Sequence, residues 1–268
     1  MRPKPDFLAP EAAAAFQHPG VARAYRYRPV YSADVFAILA DLVVDQPRHV
    51  LDVGCGTGLL ARHLVERVDR VDAVDVSEEM IGQGKLLPQG DHPNLTWIVG
   101  RAEDASLHPP YSLITAGDSL HWMDWDVVMP RFARMLTPSG RLAVLGADQL
   151  PPPWQDALLP VIRRYSVMSN WQPYDLIQEL EVRGLFRRVG SQRTEPVPFA
   201  QTVDEYIASF HARASLAWGR MTAEAAAAFD SEVRVLVSRF CQETVELQLV
   251  TEVIWGIPLD PGETVSTP

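Results

Sequence analysis

Arg48-His49-Val50-Leu51-Asp52-Val53-Gly54-Cys55-Gly56-Thr57-Gly58 is the stretch on which the reading of the chain turns. Val50–Val53 is a short apolar run broken by one carboxylate. Three alternate glycines then open the apolar-periodic segment Leu59-Leu60-Ala61-Arg62-His63-Leu64. The pattern predicts strand, tight turn, helix. Glycine reaches positive φ without a Cβ penalty and lets a ligand approach bare backbone, and the first N–H groups of the new helix face the same way. A P-loop needs Gly-Lys-Ser/Thr after four intervening residues, and none is present. The dinucleotide fingerprint G-x-G-x-x-G requires a glycine at position 59, which is Leu59. The plain alternative is a glycine-rich turn without a ligand.

The glycines instead run G-x-G-x-G, with Asp52 two residues ahead of the first. This resembles the first motif of class I S-adenosylmethionine (SAM) methyltransferases. About 20 residues past the glycines the predicted strand Val71–Asp75 ends in Asp75, the distance at which an acid meets a ribose diol from a neighbouring strand. Ser77 follows as a helix N-cap and Met80 as an apolar wall. Leu95–Val99 reads as a third strand, and the Gly100-Arg101-Ala102-Glu103-Asp104 after it is similar to the family's Gly-x-Ala-Glu-Asp string at the adenine. Many relatives carry an acid where this chain has Arg101, so the contact to the adenine amino group falls to Glu103, Asp104 or main chain. A fourth strand, Ser112–Ala116, runs into Gly117-Asp118-Ser119-Leu120-His121-Trp122. The His-Trp pair, a following helix and Arg134-x-Leu-x-Pro-x-Gly140 are similar to the type 11 small-molecule branch that includes trans-aconitate methyltransferase. A fifth strand is expected over Arg141–Leu145.

Upstream, Glu11–Phe16 favours helix and His18-Pro19-Gly20 breaks it. The string Tyr25-x-x-Arg28-Pro-x-Tyr31 resembles the segment that folds over the cofactor in these enzymes, and a helix Ala33–Leu42 follows. A guanidinium at Arg28 suits the methionine carboxylate of SAM. Downstream of Gly146 the expectations are a helix starting near Trp154, helices over 173–184, from Thr202 to about Trp218 and over Glu224–Gln242, a strand Phe186–Pro196, an alternating last strand Val245–Trp255 and a frayed tail from Pro258.

The resemblance implies a doubly wound, Rossmann-like α/β fold. Its sheet has seven strands, the last antiparallel, under a helical cap. The expected division is a lid at 1–45, a SAM-binding core at 46–147, cap insertions with the sixth strand at 148–243, and the last strand and tail at 244–268. It also implies SAM as cofactor and S-adenosylhomocysteine as product, with Tyr25, Arg28, Asp52, Gly54, Cys55, Gly56, Asp75, Val76, Met80, Ala102, Glu103 and Asp118 around them. Tyr31, Trp122, Tyr206 and His211 are assigned to a small-molecule acceptor whose oxygen takes the methyl by in-line displacement. A base is needed only for a protonated nucleophile, and His121 is the best placed candidate. The competing readings are a SAM-binding protein without methyl transfer and a macromolecule methyltransferase.

Composition narrows these. At 268 residues and 47% apolar, the chain can fill one large core or a core and a cap. The net charge of −10 opposes a nucleic-acid backbone as substrate. No 18-residue apolar run is present and the N-terminus lacks a continuous apolar segment, so neither membrane span nor secretory signal is expected. Cys55 and Cys241, the only two cysteines, read as free thiols of a cytoplasmic protein. The absence of C-x-x-C, H-E-x-x-H and a carboxylate-rich loop gives no reason to expect a metal site.

Overall fold

The computed structural model describes residues 4, 5, 8, 14–168, 172 and 174–262. Its centre is a sheet in the order β3-β2-β1-β4-β5-β8-β6, with β7 also paired to β8. The strands are β1 (His49–Val53), β2 (Arg70–Asp75), β3 (Leu95–Val99), β4 (Tyr111–Gly117), β5 (Leu136–Gln149), β6 (Phe186–Arg193), β7 (Val197–Thr202) and β8 (Thr244–Pro258). Strands β1 to β5 pair in parallel, whereas β8 runs antiparallel to β5, β6 and β7.

The near-continuous apolar character of β1, β2 and β4 follows from burial on both faces. Leu51, Val53, Ile114 and Ala116 turn to one face, against Val128, Met129 and Phe132 of α5 (Trp125–Met135). Val50, Val71, Ala73 and Leu113 turn to the other. There they meet Val35, Phe36, Ile38 and Leu39 of α2 (Asp34–Asp41) and the short α3 (Ala61–Leu64). Helix α1 (Pro19–Tyr25) precedes these two, and α4 (Glu78–Lys85) follows β2, capped by Ser77 Oγ accepting the Met80 N–H at 3.3 Å. The chain reverses direction across the sheet between β1 and β4, which opens a crevice above their carboxyl ends.

A third apolar cluster forms where α6 (Gln155–Tyr165), α8 (Val203–Phe210) and α9 (Ala223–Val237) cover β7 and the first half of β8. Val245, Leu247 and Leu249 are buried there while Thr244, Glu246 and Gln248 face out, the period-two pattern of a one-sided strand. Helix α7 (Leu176–Val182) packs Ile177 and Leu180 on the α5 face.

Several expectations are corrected. The sheet has eight strands, not seven, because Val197–Thr202 pairs with β8 instead of looping into the next helix. The predicted sixth strand, Phe186–Pro196, ends early at Arg193, and residues 194–196 link it to β7. The Thr202 capping box is present, with Thr202 Oγ1 accepting the Glu205 N–H and Glu205 accepting the Thr202 N–H, but α8 stops at Phe210 rather than Trp218. It stops because the His211 ring is bonded to the Leu216 carbonyl and Asp230, folding the chain back. The helix expected to open at Leu59 keeps four residues, Ala61–Leu64, and β5 starts at Leu136, earlier than expected. Ala14–Gln17 is a 3₁₀ turn, while residues 11–13 of the expected first helix, Pro173 and the tail at 263–268 lie outside the described residues. Among the described residues no helix is long and apolar enough to cross a membrane.

Candidate functional site

The glycine turn leaves β1 with Gly54 and Gly56 at φ +64° and +55°. At Gly54 the demand is steric as well as conformational: a Cβ would lie 2.5 Å from that of Ser119, whose hydroxyl is anchored by donating to the Val53 carbonyl at 2.6 Å. At Gly56 a Cβ would meet only Met80 Cε at 3.4 Å and Tyr25 at 3.8 Å. Gly56 therefore presents bare backbone to a cavity of about 750 Å³ above the carboxyl ends of β1, β2 and β4.

Asp75, the last residue of β2, faces this cavity. Its Oδ2 accepts the Gly56 N–H and its Oδ1 the Ser77 N–H, both at 2.8 Å. Burial raises its pKa and these N–H groups oppose the rise. Val76, Met80 and Ala102 supply apolar wall, with Glu103 at the rim. Burial alone would raise the Glu103 pKa, but the Asp124 N–H at 2.9 Å and the Arg101 guanidinium hold it below the usual range. Across the cavity stand Tyr25 and Asp118. Asp118 takes the left-handed φ of +50°, rare for a side chain larger than glycine and frequent where backbone strain serves a site. Arg28 lies 3.6 Å from Asp118 Oδ2 with its guanidinium 5.3 Å from the Tyr25 ring, and that guanidinium donates no hydrogen bond among the described residues. Tyr31 closes on Gly117, where a Cβ would collide with its hydroxyl, and burial puts its pKa well above the usual value.

His121 and Trp122 follow one another in a 3₁₀ turn and part company. Trp122 lines the first cavity, edge-on to Phe16 at 5.6 Å. His121 lines a second cavity of about 610 Å³ beside Val144–Asp148 of β5 and Arg188, Arg193, Val250 and Glu252 of β6 and β8. The two cavities share Asp118 and Ser119. Burial, then the charges of Lys4 and Arg28, push the His121 imidazole down to about 4, so the ring is neutral at physiological pH.

Four assignments change. Asp52 and Cys55 are buried behind the turn rather than on the cavity wall. Asp52 accepts the Thr115 hydroxyl at 2.8 Å and the Ala61 N–H at 3.3 Å, and burial lifts its pKa to about 7. The carboxyl thus ties β1 to β4 and to the start of α3. Tyr206 and His211 line neither cavity. Tyr206 is a core residue accepting the Trp154 N–H at 3.0 Å, and His211, fully buried, clamps the Leu216 carbonyl and Asp230 at 2.8 Å each. Their spacing on an amphipathic helix served packing.

Other wall residues carried no signal in the sequence. Lys4 donates to the Met123 carbonyl at 2.9 Å and lies 4.9 Å from the Trp125 ring, with Arg183 5.2 Å from the same ring. Burial lowers the Lys4 pKa to about 8. Among the described residues no three of His, Cys, Asp and Glu are grouped to hold a metal ion.

Residues 50–140 match the family model described as "Methyltransferase domain". The malonyl-[acyl-carrier protein] O-methyltransferase of Halalkalibacterium halodurans is 25% identical over 176 residues, which cover 61% of this chain and 64% of that protein. The trans-aconitate 2-methyltransferase of Yersinia pseudotuberculosis is 28% identical over 202 residues, 67% of this chain and 74% of that one. The chain thus spans less than two thirds of the malonyl-[acyl-carrier protein] relative. Among solved structures, a putative type II methyltransferase from Anaeromyxobacter dehalogenans superposes with a TM-score of 0.63 at 23% identity, covering 87% of this chain and 99% of its own. Motif, sheet order and domain match agree on the part of the chain that carries the first cavity: residues 50–140, from the glycine turn to the start of β5, are similar to a methyltransferase domain, and the fold around them is shared with a solved structure described as a putative methyltransferase.

Proposed function

We propose that the protein transfers the methyl group of SAM to an oxygen of a small-molecule acceptor. The observation that carries this is the pair of cavities meeting at Asp118 and Ser119, one against the glycine turn and Asp75, the other against His121. Two compartments that share one wall suit two reactants brought end to end. The names of the relatives, a malonyl-[acyl-carrier protein] O-methyltransferase and a trans-aconitate 2-methyltransferase, support an oxygen acceptor.

The residues present fit the cofactor: bare backbone at Gly56, an acid at the end of β2, an apolar slot at Val76, Met80 and Ala102, and a guanidinium with unspent donors at Arg28. In this reading Asp75 accepts from the ribose hydroxyls, Met80 and Ala102 flank the adenine, Glu103 lies at its edge and Arg28 meets the methionine carboxylate. Bound SAM supplies a methyl on a sulfonium, a leaving group that needs no protonation. The protein's share is then alignment and exclusion of water. Trp122 walls the reacting end and Tyr25 borders the cofactor cavity, while Tyr31, which lines neither cavity, packs behind the wall against Gly117. Neutral His121 accepts a proton from a hydroxyl acceptor or orients a carboxylate, which has none to give.

The test is calorimetry with S-adenosylhomocysteine, followed by incubation with deuteromethyl-labelled SAM and a panel of acids and phenols read by mass spectrometry. Binding with label transfer to a small acid or phenol supports the proposal. Absent binding, or labelling of protein or nucleic acid instead, refutes it.

A further inference from the structure

Gly146 lies inside β5 for no reason that the surrounding protein supplies. A glycine within a strand costs backbone entropy and offers no side chain to pack, and it is found where the chain bulges, takes positive φ or is closely approached. The register from Leu142 opposite Gly256 to Gln149 opposite Leu249 runs without a bulge, and Gly146 lacks the positive φ of Gly54 and Gly56. Packing does not demand it either. A Cβ on Gly190 would lie 2.5 Å from the Trp255 ring and one on Gly256 would strike the Arg187 carbonyl, whereas a Cβ on Gly146 would meet no heavy atom within 4 Å beyond its chain neighbours. Close approach by a ligand is the reason left.

The open space is the second cavity. Gly146 lies in its floor between Val144 and Asp148, with Glu252 opposite on β8 and Arg193 opposite Glu252 on β6. Val144 pairs with Ile254 two residues along, and Tyr174, Leu176 and Ile177 add wall at the start of α7. A strip of bare strand backbone flanked by branched aliphatic side chains suits a flat ring, and about 610 Å³ falls within the roughly 300–1,000 Å³ of pockets that enclose drug-sized ligands. Charge tells against a polyanion. Four acids, Asp118, Asp148, Asp175 and Glu252, line the cavity against two guanidiniums, and one of these, Arg188, is held by Glu181 at 3.1 Å. Like charges brought face to face disfavour such a partner. A neutral imidazole at His121, on the same cavity, can accept from a hydroxyl.

We propose that Gly146 determines specificity at this site: its missing side chain leaves the floor open for an uncharged ring bearing the hydroxyl to be methylated, a phenol and not a polycarboxylate. The inference rests on the methyltransferase reading above. The full chain is titrated calorimetrically with S-adenosylhomocysteine, and the saturated protein is then titrated with catechol, 2-naphthol and 4-hydroxybenzamide, and with malonate and tricarballylate. At least one phenol should bind, and more tightly than either polycarboxylate. Gly146→Ala should weaken that binding roughly tenfold or more and Gly146→Val further, as the added methyl groups fill the floor. Both variants should keep the wild-type affinity for S-adenosylhomocysteine, with a thermal midpoint equal to or above wild type, because alanine and valine each cost a strand less than glycine does. Unchanged phenol affinity in Gly146→Val, a lowered thermal midpoint already in Gly146→Ala, no phenol binding to the saturated wild type, or tighter binding of a polycarboxylate overturns the proposal. Failure of S-adenosylhomocysteine to bind in the first titration instead strikes the cofactor reading beneath it.

Discussion

Replacing His121 by asparagine should make the protein less sensitive to acid, and the size of the change follows from where the ring sits. Its pKa falls from 6.5 to about 4 because the recess at the end of β4 is poor in water and lies near two cations. Between these values the unfolded chain binds a proton that the folded chain refuses, so stability is complete above pH 6.5 and is lost as pH falls towards 4. At about pH 4.5 the linkage relation gives a loss of roughly 2.5 kcal/mol from this one group, and almost none at about pH 7.5. Water reaching the half-buried ring screens part of it, leaving about 1–2.5 kcal/mol. The assay is urea unfolding of wild type and His121→Asn at both pH values. Asp52, Asp75 and Asp118, whose pKa values burial raises, titrate with the opposite sign and cancel in the difference between the two proteins. A difference that does not change with pH would show the imidazole to be solvated and would remove the reason for calling it neutral. If it is neutral, methyl transfer should also hold its rate through pH 6.5 and decline only nearer 4.

The remaining predictions concern the cofactor cavity. Gly54→Ala should lower stability by more than the roughly 1–2 kcal/mol of a left-handed residue, because its Cβ also strikes Ser119; chemical denaturation reads this directly. Gly56→Ala should cost about 1–2 kcal/mol in fold yet abolish S-adenosylhomocysteine binding by calorimetry, since its methyl projects into the cavity, and tight binding by the variant would misplace the cofactor. Asp75→Ala should lose about 1.5–3 kcal/mol of SAM affinity per missing bond and some stability besides, because the Gly56 and Ser77 N–H groups lose their acceptor. Amide exchange across Tyr25–Tyr31 should slow when S-adenosylhomocysteine is added; equal protection in both states would make the segment a fixed wall.

The parts of this fold that could be read in advance are those coded by neighbours in the chain. Gly54, Gly56 and Asp75 stand within about twenty residues of one another, the third strand fell on Leu95–Val99, and Ser77 and Thr202 announced their helices by the side chain that caps them. What stayed hidden depends on distant partners. Val197–Thr202 carries a proline, which removes one ladder donor and hides a strand in sequence, and it becomes one on the hydrogen bonds that β8 offers. His211 and Tyr206 looked chemical because polar aromatics on an apolar helix face suit a pocket and a core equally. Only Asp230, Leu216 and Trp154 decide between the two. The second cavity draws on the turn after β4, on the start of α7 and on β5, β6 and β8, residues 118 to 254, and no local pattern spans that interval. Asp52 was legible as an acid in the right place and misread in its task, since a carboxylate beneath a turn and one above it look alike in sequence.

Strand β8 sets the order in which this molecule can be built. One edge of it pairs with β5 and the other with β6 and β7 in succession, and among the described residues neither β6 nor β7 has another neighbour in the sheet. During synthesis, residues 186–202 must therefore wait, exposed, until the segment ending at Pro258 leaves the ribosome, while β1 to β5 can already pair among themselves. The last strand to arrive joins the cap to the crevice side of the sheet in a single event, across loop closures of tens of residues. A polypeptide halted before Thr244 would hold the glycine turn and Asp75 yet leave β5 as a bare parallel edge, open to a strand from another chain.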